Sequence, residues 1–185
     1  MKNLYVSGYR SYELNIFNEK DPKLPYIRKY LKKRLSEYIE SGVEWILISA
    51  QLGTELWAGE VLLELREIYD TVKLGVLLPY AGYGENWNEG NREILDRVIN
   101  GADYSNYTSS QPYSNPGQLK GNQKFLIDHS DGCLLFYDTE YEGKPKFLLE
   151  EINSSLADRD YEVEMITFDE MQTFVTEYEE NQFES

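Results

Sequence analysis

The chain has 185 residues, and its 33 acidic against 18 basic residues give a formal net charge of −15. This length suits one domain, and the negative charge repels a phosphate backbone, so we do not expect a nucleic-acid-binding protein. No apolar run approaches the roughly 20 residues of a membrane-spanning helix, and the first residues lack a signal-peptide pattern. We therefore predict a cytoplasmic protein without membrane insertion.

Apolar runs and helical periods alternate along the chain. This alternation is typical of βαβ units, so we predict an α/β, Rossmann-like three-layer fold with a mainly parallel central sheet. One domain is predicted for 1–176, and the acidic segment 177–185 is predicted to be a frayed tail. The predicted strands are 4–7, 44–49, 73–78, 103–108, 133–137 and 162–167, and the helical periods lie within 27–39, 58–69, 94–99, 119–130, 148–156 and 171–178.

The single cysteine, Cys133, lies in the apolar run 133–137 and is predicted to be a buried structural thiol. Asp128, His129 and Asp131 precede it. A helix end and a turn are favoured there over a metal or acid–base site, because no second ligand stands at a recognised spacing. We therefore assign no metal site and no catalytic residue.

The ligand crevice of an open parallel sheet lies outside the carboxyl ends of its strands. The loops that follow the predicted strands at that edge are 7–10, 50–55, 79–80 and 138–146. None of them carries the GxGxxG or GxxxxGK[ST] pattern, so we expect neither an ordinary dinucleotide fingerprint nor hydrolysis of a nucleoside triphosphate.

Loop 50–55 is the most informative of these segments. Gly53 is expected where the backbone closely approaches either a ligand or a neighbouring strand, and Thr54 could cap the following helix. Glu55 then falls in the first helical turn. It either complements the helix dipole or hydrogen-bonds ribose hydroxyls, and the sequence alone does not separate these two roles.

Further candidates could complete a site of nucleotide type. Arg10 and Lys146 could pair with phosphate, and Tyr9, Trp57 or Tyr80 could stack on a base, although simple packing is the alternative for the aromatic residues. The candidate ligand-binding residues are Gly8, Tyr9, Arg10, Gln51, Gly53, Thr54, Glu55, Trp57, Pro79, Tyr80, Trp87, Asp138 and Lys146.

Two segments resemble sequences of a known family, namely 7–10, followed by Glu13-Leu14 and Phe17, and 45–57. Further matches run along nearly the whole chain at Asn86-Trp87, Gln111-Pro112-Tyr113, Asn122-Gln123, Phe125, Ile127-Asp128, Ser130-Asp131-Gly132, Tyr137-Asp138, Gly143 and Pro145-Lys146. Together these segments resemble the YpsA family of the SLOG superfamily. SLOG proteins are Rossmann-like domains related to the DNA-processing protein DprA and to the LOG phosphoribohydrolases.

The resemblance implies a nucleotide, ADP-ribose or NAD-derived ligand, and it places the family's glycine and glutamate on Gly53 and Glu55. It also implies a link to cell division through a protein partner, and a homodimer is expected from it. Two features depart from the relatives. Ala50 stands where we expect glycine, and the Pro-Gly-Gly-x-Gly-Thr-x-x-Glu motif of the LOG enzymes is absent.

The leading hypothesis is a nucleotide-sensing protein with a regulatory role rather than an enzyme. One alternative is a phosphoribohydrolase-like enzyme that cleaves the N-glycosidic bond of a nucleoside monophosphate, with Glu55 as acid or base. Two others are a scaffold with a vestigial pocket and a DprA-like DNA-binding protein.

Overall fold

A six-stranded, entirely parallel sheet forms the centre of the protein, in the strand order β4-β3-β2-β1-β5-β6. The computed structural model describes residues 1–155 and 159–184. The strands are β1 (Asn3–Gly8), β2 (Trp45–Ile48), β3 (Lys73–Leu78), β4 (Tyr104–Tyr107), β5 (Gly132–Phe136) and β6 (Glu162–Ile166).

Within the described residues, six α-helices connect and follow the strands, and a short 3-10 helix spans Ser11–Leu14. The contacts join α1 to α2 and α6, α2 to α3, and α4 to α5. With right-handed crossovers, α1, α2, α3 and α6 cover one face of the sheet and α4 and α5 cover the other. The helices are α1 (Leu24–Glu40), α2 (Thr54–Leu65), α3 (Glu89–Gly101), α4 (Gly117–Asp128), α5 (Pro145–Ser155) and α6 (Phe168–Glu184).

The inner strands are apolar because helices bury both faces of the sheet. Every residue of β5 is buried, including Cys133, which is 1% exposed. Burial raises the pKa of this thiol far above its usual range, as expected of a structural cysteine. The predictions of an α/β class and a Rossmann-like fold are confirmed.

Successive strands are added toward one edge of the sheet up to β4 and toward the other edge from β5 onward, so the order reverses between the neighbouring strands β1 and β5. Strands β1 to β4 are added successively toward one edge, and α4 then returns the chain over the opposite face to β5, beside β1. This reversal is a topological switch point, where ligands of open α/β sheets bind. It lies at the carboxyl ends of β1 and β5.

The ends of two helices differ from the expectations. Helix α2 ends at Leu65, so Ile68 and Tyr69 lie beyond it, and Leu156 lies outside the described residues. Segment 177–184 of the expected frayed tail continues α6, and Glu179 accepts a hydrogen bond from Tyr26. Among the described residues, no helix is both long enough and apolar enough to cross a membrane.

Candidate functional site

A cleft of about 560 Å³ opens at the switch point, between α4 and α5. We call it the α4–α5 cleft. Tyr5 of β1, Arg10 and Gln51 come from the sheet side, and the two helices form the walls. The residues that line it are Tyr5, Arg10, Gln51, Pro116, Leu119, Lys120, Asn122, Gln123, Lys144, Phe147, Glu150, Glu151 and Ser154.

Three cations line this cleft, namely Arg10, Lys120 and Lys144. None of them forms an ion pair with a described residue. The two carboxylates of the cleft, Glu150 and Glu151, lie further along α5. A rise of 1.5 Å per residue places Glu150 about 8 Å along the helix from its first residue. Neither of these glutamates therefore neutralises the cations at the edge of the sheet.

The cleft also offers apolar surface and an unpaired polar atom. Phe147 is 64% exposed and Leu119 is 42% exposed, and both line the cleft. The side-chain Oε1 of Gln51 is buried and has no hydrogen-bond partner among the described residues. Buried polar atoms are normally paired, so an unpaired amide here is compatible with a partner from outside the chain.

The loop after β1 and the loop after β2 are joined by backbone hydrogen bonds. Ser11 N–H donates to Leu52 O, Thr54 N–H donates to Tyr9 O, and Arg10 and Gly53 form an isolated antiparallel bridge. An added Cβ at Gly53 would lie 2.5 Å from Ser11 N and 2.6 Å from Tyr9 O, and its φ is +122°. Gly53 was expected to approach either a ligand or a neighbouring strand, and in the structure its backbone approaches the neighbouring loop after β1.

Two glycines and a threonine make this junction tight. At Gly8, an added Cβ would lie 2.7 Å from Phe136 Cβ and from Phe136 O, so β1 also packs closely on β5. We had expected that Thr54 could cap α2, but it does not. Its hydroxyl instead donates to Tyr9 O at 2.9 Å. The capping position belongs to Gly53, and the Thr54 side chain instead reinforces the junction between the two loops.

Glu55 is buried beneath the same junction, with an exposed fraction of 1%. Its Oε1 accepts from Ser49 N–H at 2.5 Å and from Ser49 Oγ at 2.8 Å, and its Oε2 accepts from Ser7 Oγ at 2.9 Å. Burial raises the pKa of this carboxyl, an effect opposed by the charge of Arg10 and by the serine hydrogen bonds. The Glu55 side chain thus ties the end of β1 to the end of β2. It is neither a solvated partner of the helix dipole nor a group that faces the cleft.

Ala50 has a left-handed backbone, with φ at +66°, and its side chain is completely buried. We expected glycine at this position from the relatives, and the backbone at Ala50 does adopt a positive φ. The methyl group is accommodated at a backbone cost of about 1–2 kcal/mol. It packs in the core rather than into the cleft.

Tyr9 and Asp138, both candidates for ligand contact, are used internally. The ring of Tyr9 is 3% exposed and stacks on Phe168 with centroids 5.4 Å apart, so its faces are not free to stack on a base. Its hydroxyl donates to Tyr141 O and accepts from Asp138 N–H. The Asp138 carboxylate accepts from Phe168 N–H and Glu140 N–H. Both residues therefore hold the loop after β5 in place.

Glu13, which was not among the candidates, positions two cations of the cleft. Its Oε1 accepts from Arg10 N–H at 2.8 Å and its Oε2 accepts from Lys144 N–H at 2.9 Å. Arg10 Nη1 also donates to Gly8 O. One carboxylate thus holds the backbone of the loop after β1 beside the loop after β5.

The remaining candidates lie outside the α4–α5 cleft. Trp57 is 5% exposed and lines a smaller cavity of about 260 Å³ on the opposite face. Tyr80 contacts Tyr83 edge-on, and Tyr83 in turn contacts Trp87. This aromatic cluster and the buried Pro79 follow β3. The amine of Lys146 is paired with Glu142 at 3.4 Å and does not line the cleft.

Residues 128–131 form a helix end and a turn, as expected. The Asp128 carboxylate pairs with Lys124, and the His129 ring stacks on Phe125 with its Nδ1 near Phe125 O. The Asp131 carboxylate accepts from the backbone N–H groups of Lys2 and Asn3, which lowers its pKa. No cluster of His, Cys, Asp and Glu that could hold a metal ion occurs in 1–155 and 159–184.

We did not predict the helical walls of the cleft, above all Leu119, Lys120 and Phe147. Lys144 lies in the predicted crevice loop 138–146 but was not named as a candidate. The strand order was the signal needed to find them. Once the chain is known to return through α4 to the far side of β1, the first turns of α4 and α5 must flank the crevice at the switch point.

Three relatives resemble the chain along nearly its whole length. The UPF0398 protein of Enterococcus faecalis is 51% identical over 175 residues, which cover 95% of this chain and 97% of the relative. That of Macrococcus caseolyticus is 38% identical, over 96% of this chain and 97% of the relative. A UPF0398 protein of Staphylococcus aureus strain JH9 is 37% identical, over 96% of this chain and 95% of the relative.

The sequence model of the YpsA family, described as "YspA SLOG family", matches residues 4–171. This match includes β1 from Leu4 onward, the other five strands and the start of α6. The chain therefore belongs to the YpsA family of SLOG proteins.

Proposed function

We propose that the protein binds a nucleotide-derived ligand of ADP-ribose type in the α4–α5 cleft. The observation that carries this proposal is the set of three unpaired cations, Arg10, Lys120 and Lys144, around one cleft of a chain whose net charge is −15. Such a chain repels anions in general. An anion is attracted to such a chain where cations are concentrated and form no ion pair.

The size and the walls of the cleft suit a nucleotide. Its volume of about 560 Å³ lies within the roughly 300–1,000 Å³ typical of small-molecule sites. The exposed ring of Phe147 and the side chain of Leu119 supply apolar surface against which a base can stack, worth about 1–3 kcal/mol.

The charged residues of the cleft suit a ligand that carries both phosphate groups and sugar hydroxyls. Arg10 and Lys144 are held together by Glu13, so a phosphate or diphosphate fits beside them. Further along α5, Glu150 and Glu151 are acceptors for ribose hydroxyls. Gln51 offers an amide between these groups and the sheet.

The glycine loop supports this site indirectly. Gly53 and Thr54 fasten the loop after β1, from which Arg10 projects toward the cleft, and Glu55 fastens the strand ends beneath it. Loop 50–55 is therefore proposed to position the cation rather than to contact the ligand, except through Gln51.

The hydrolase alternative is less well supported. An acid or base must reach the glycosidic bond, whereas Glu55 is 1% exposed and both of its oxygens accept hydrogen bonds from serines. Chromatography of AMP incubated with the protein tests that alternative through the release of adenine. A regulatory role linked to cell division, with a protein of the division apparatus as partner, remains part of the proposal on the family resemblance alone.

The ligand class is tested by thermal shift of the protein against ADP-ribose, NAD, AMP and ATP. At a ligand concentration of about 100 Kd, binding adds about 2.7 kcal/mol of stability and raises the melting temperature. We expect a selective shift that is clearly smaller in Phe147→Ala, because the stacking surface is removed without a buried contact.

Phe183→Ala is the matched control, since Phe183 is 93% exposed on α6 and lies outside the cleft. Its shift should equal that of the unmodified protein. If no nucleotide of the panel raises the melting temperature, the scaffold alternative with a vestigial pocket is favoured instead.

A further inference from the structure

The cavity of about 260 Å³ that Trp57 lines is separate from the α4–α5 cleft, and the two share no lining residue. Its walls are the segment 11–24, the start of α2 and the start of α3. Three aromatic side chains line it, namely Tyr12, Phe17 and Trp57. We call it the aromatic cavity.

The three rings of the aromatic cavity are not packed against other rings. None of them forms a ring contact with another aromatic side chain in 1–155 and 159–184. Phe17 is 73% exposed and Tyr12 is 50% exposed, whereas Trp57 is largely buried. Because the rings line one cavity without stacking on each other, they leave space between them for a ligand.

The charge of the aromatic cavity is negative. Among the described residues, Glu19 is the one charged side chain that lines it. Its Oε1 lies 4.0 Å from Arg28 Nη2, but Arg28 makes a closer contact, at 2.9 Å, with Glu60. Lys144 lies over the ring of Tyr12, 5.7 Å from its centroid, but lines the α4–α5 cleft and not this cavity. Glu19 therefore keeps most of its charge for a ligand in the cavity.

We propose that the aromatic cavity binds a small organic cation of alkylammonium type. The faces of aromatic rings attract such cations electrostatically, and aromatic cages recognise quaternary ammonium groups. Glu19 adds an opposite charge, and the net charge of −15 draws cations toward the chain. The volume lies just below the roughly 300–1,000 Å³ of drug-sized sites, so it suits a small cation rather than a nucleotide.

The same lining disfavours an anion. No described lysine or arginine lines the aromatic cavity, and Glu19 would repel a phosphate or a carboxylate. The start of α3 contributes only the neutral amides of Asn88 and Asn91, and Asn88 Oδ1 is already used to accept from Asn91 N–H. The aromatic cavity is thus opposite in charge to the α4–α5 cleft, which three cations line.

Choline is the probe for this site, and its neutral isostere dimethylbutanol, in which carbon replaces the nitrogen, is the matched ligand control. In a titration followed by heteronuclear NMR, we expect choline to shift the indole N–H of Trp57 and the amides of Phe17 and Glu19 until the site is saturated. Sodium chloride at equal concentration should not cause these shifts, because sodium carries no alkyl groups that fill the space between the rings. The neutral isostere should bind about fivefold more weakly or worse, since it lacks the charge that the rings and Glu19 attract.

Two variants separate the contributions of ring and carboxylate. Phe17→Leu keeps an apolar side chain without the ring, and Glu19→Gln keeps the shape without the charge. Each should weaken the binding of choline about two- to fivefold, as expected of a cation–π contact and an ion pair at exposed positions. Phe183→Leu and Glu67→Gln are the matched controls, since both residues are exposed outside the cavity, and they should leave the affinity unchanged.

Equal melting temperatures of all four variants would show that the fold is kept. The proposal is overturned if choline gives no saturable shift at Trp57, or if sodium chloride gives the same shifts. It is also overturned if the neutral isostere binds as tightly as choline, or if Phe17→Leu and Glu19→Gln both bind choline like the unmodified protein.

Discussion

Replacing Gly53 by alanine is expected to lower the free energy of unfolding by about 3 kcal/mol or more. The φ of +122° is strained for any residue with a Cβ. The added atom would also lie 2.5 Å from Ser11 N and 2.6 Å from Tyr9 O, which are backbone atoms that cannot move alone. Urea denaturation of the purified variant measures the loss.

Gly42→Ala separates the strain from the clash. Gly42 has a similar φ of +110°, but an added Cβ there meets no atom within 4 Å. Its substitution should therefore cost only the backbone strain, about 1–2 kcal/mol. Equal losses at Gly53 and Gly42 would mean that the loops after β1 and β2 are not in close contact.

Glu55→Ala is expected to destabilise the protein by about 3–5 kcal/mol. The substitution leaves the N–H and hydroxyl of Ser49 and the hydroxyl of Ser7 without their acceptor, and each unpaired buried group costs about 1–3 kcal/mol. Glu64→Ala, on the exposed side of the same helix, is the control and should change stability by about 0.5 kcal/mol or less. A small effect at Glu55 would contradict the role of its carboxylate as a tie between strands.

The raised pKa of Glu55 gives this residue a distinctive pH dependence. Because its pKa is higher in the folded chain than in the unfolded chain, the folded state binds more protons above the ordinary value of 4.5. Its contribution to stability is then fully present below that value and falls as pH rises toward the folded pKa. Glu55→Gln does not titrate, so we expect it to be more destabilising at pH 5 than at pH 8.

Comparing that variant with the unmodified protein cancels the titration of the other acidic groups. A loss that grows from pH 5 to pH 8 would mean that the carboxylate, not the neutral acid, is the preferred form in the folded state.

Much of the fold could be predicted because local signals agree with the tertiary structure. Lys73–Leu78 is a strand in both the prediction and the structure, and the period Ile27, Leu31, Leu35 and Ile39 is the buried face of α1. The strand order could not be read from these periods, since they do not encode which strands are neighbours. The switch point between β1 and β5, and with it the walls of the cleft, therefore remained hidden.

The candidate site was predicted in part. Arg10 and Gln51 do line the α4–α5 cleft. Tyr9, in the loop after β1, and Glu55, in the first turn of α2, lie at the correct edge. Their side chains turn inward, where Phe168 stacks on Tyr9 and Ser7 and Ser49 donate to Glu55. A loop sequence shows which residues reach the edge of a sheet, whereas the direction of each side chain depends on partners that are distant along the chain.

These inward contacts and the cleft belong to one arrangement. Gly53 and Glu55 hold the loop after β1 against β2, and Glu13 holds it against the loop after β5. Arg10 lies between the two junctions. The geometry of the proposed anion site therefore depends on residues that lie outside the cleft.

The most direct test of the proposed site is calorimetric titration of ADP-ribose into the unmodified protein and into the double variant Lys120→Ala/Lys144→Ala. Charge-assisted hydrogen bonds contribute about 1.5–3 kcal/mol each, so we expect the double variant to bind at least tenfold more weakly at equal stability. Lys124→Ala, on α4 but paired with Asp128 outside the cleft, should bind like the unmodified protein. Equal affinity of the double variant and the unmodified protein would contradict a ligand site in the α4–α5 cleft.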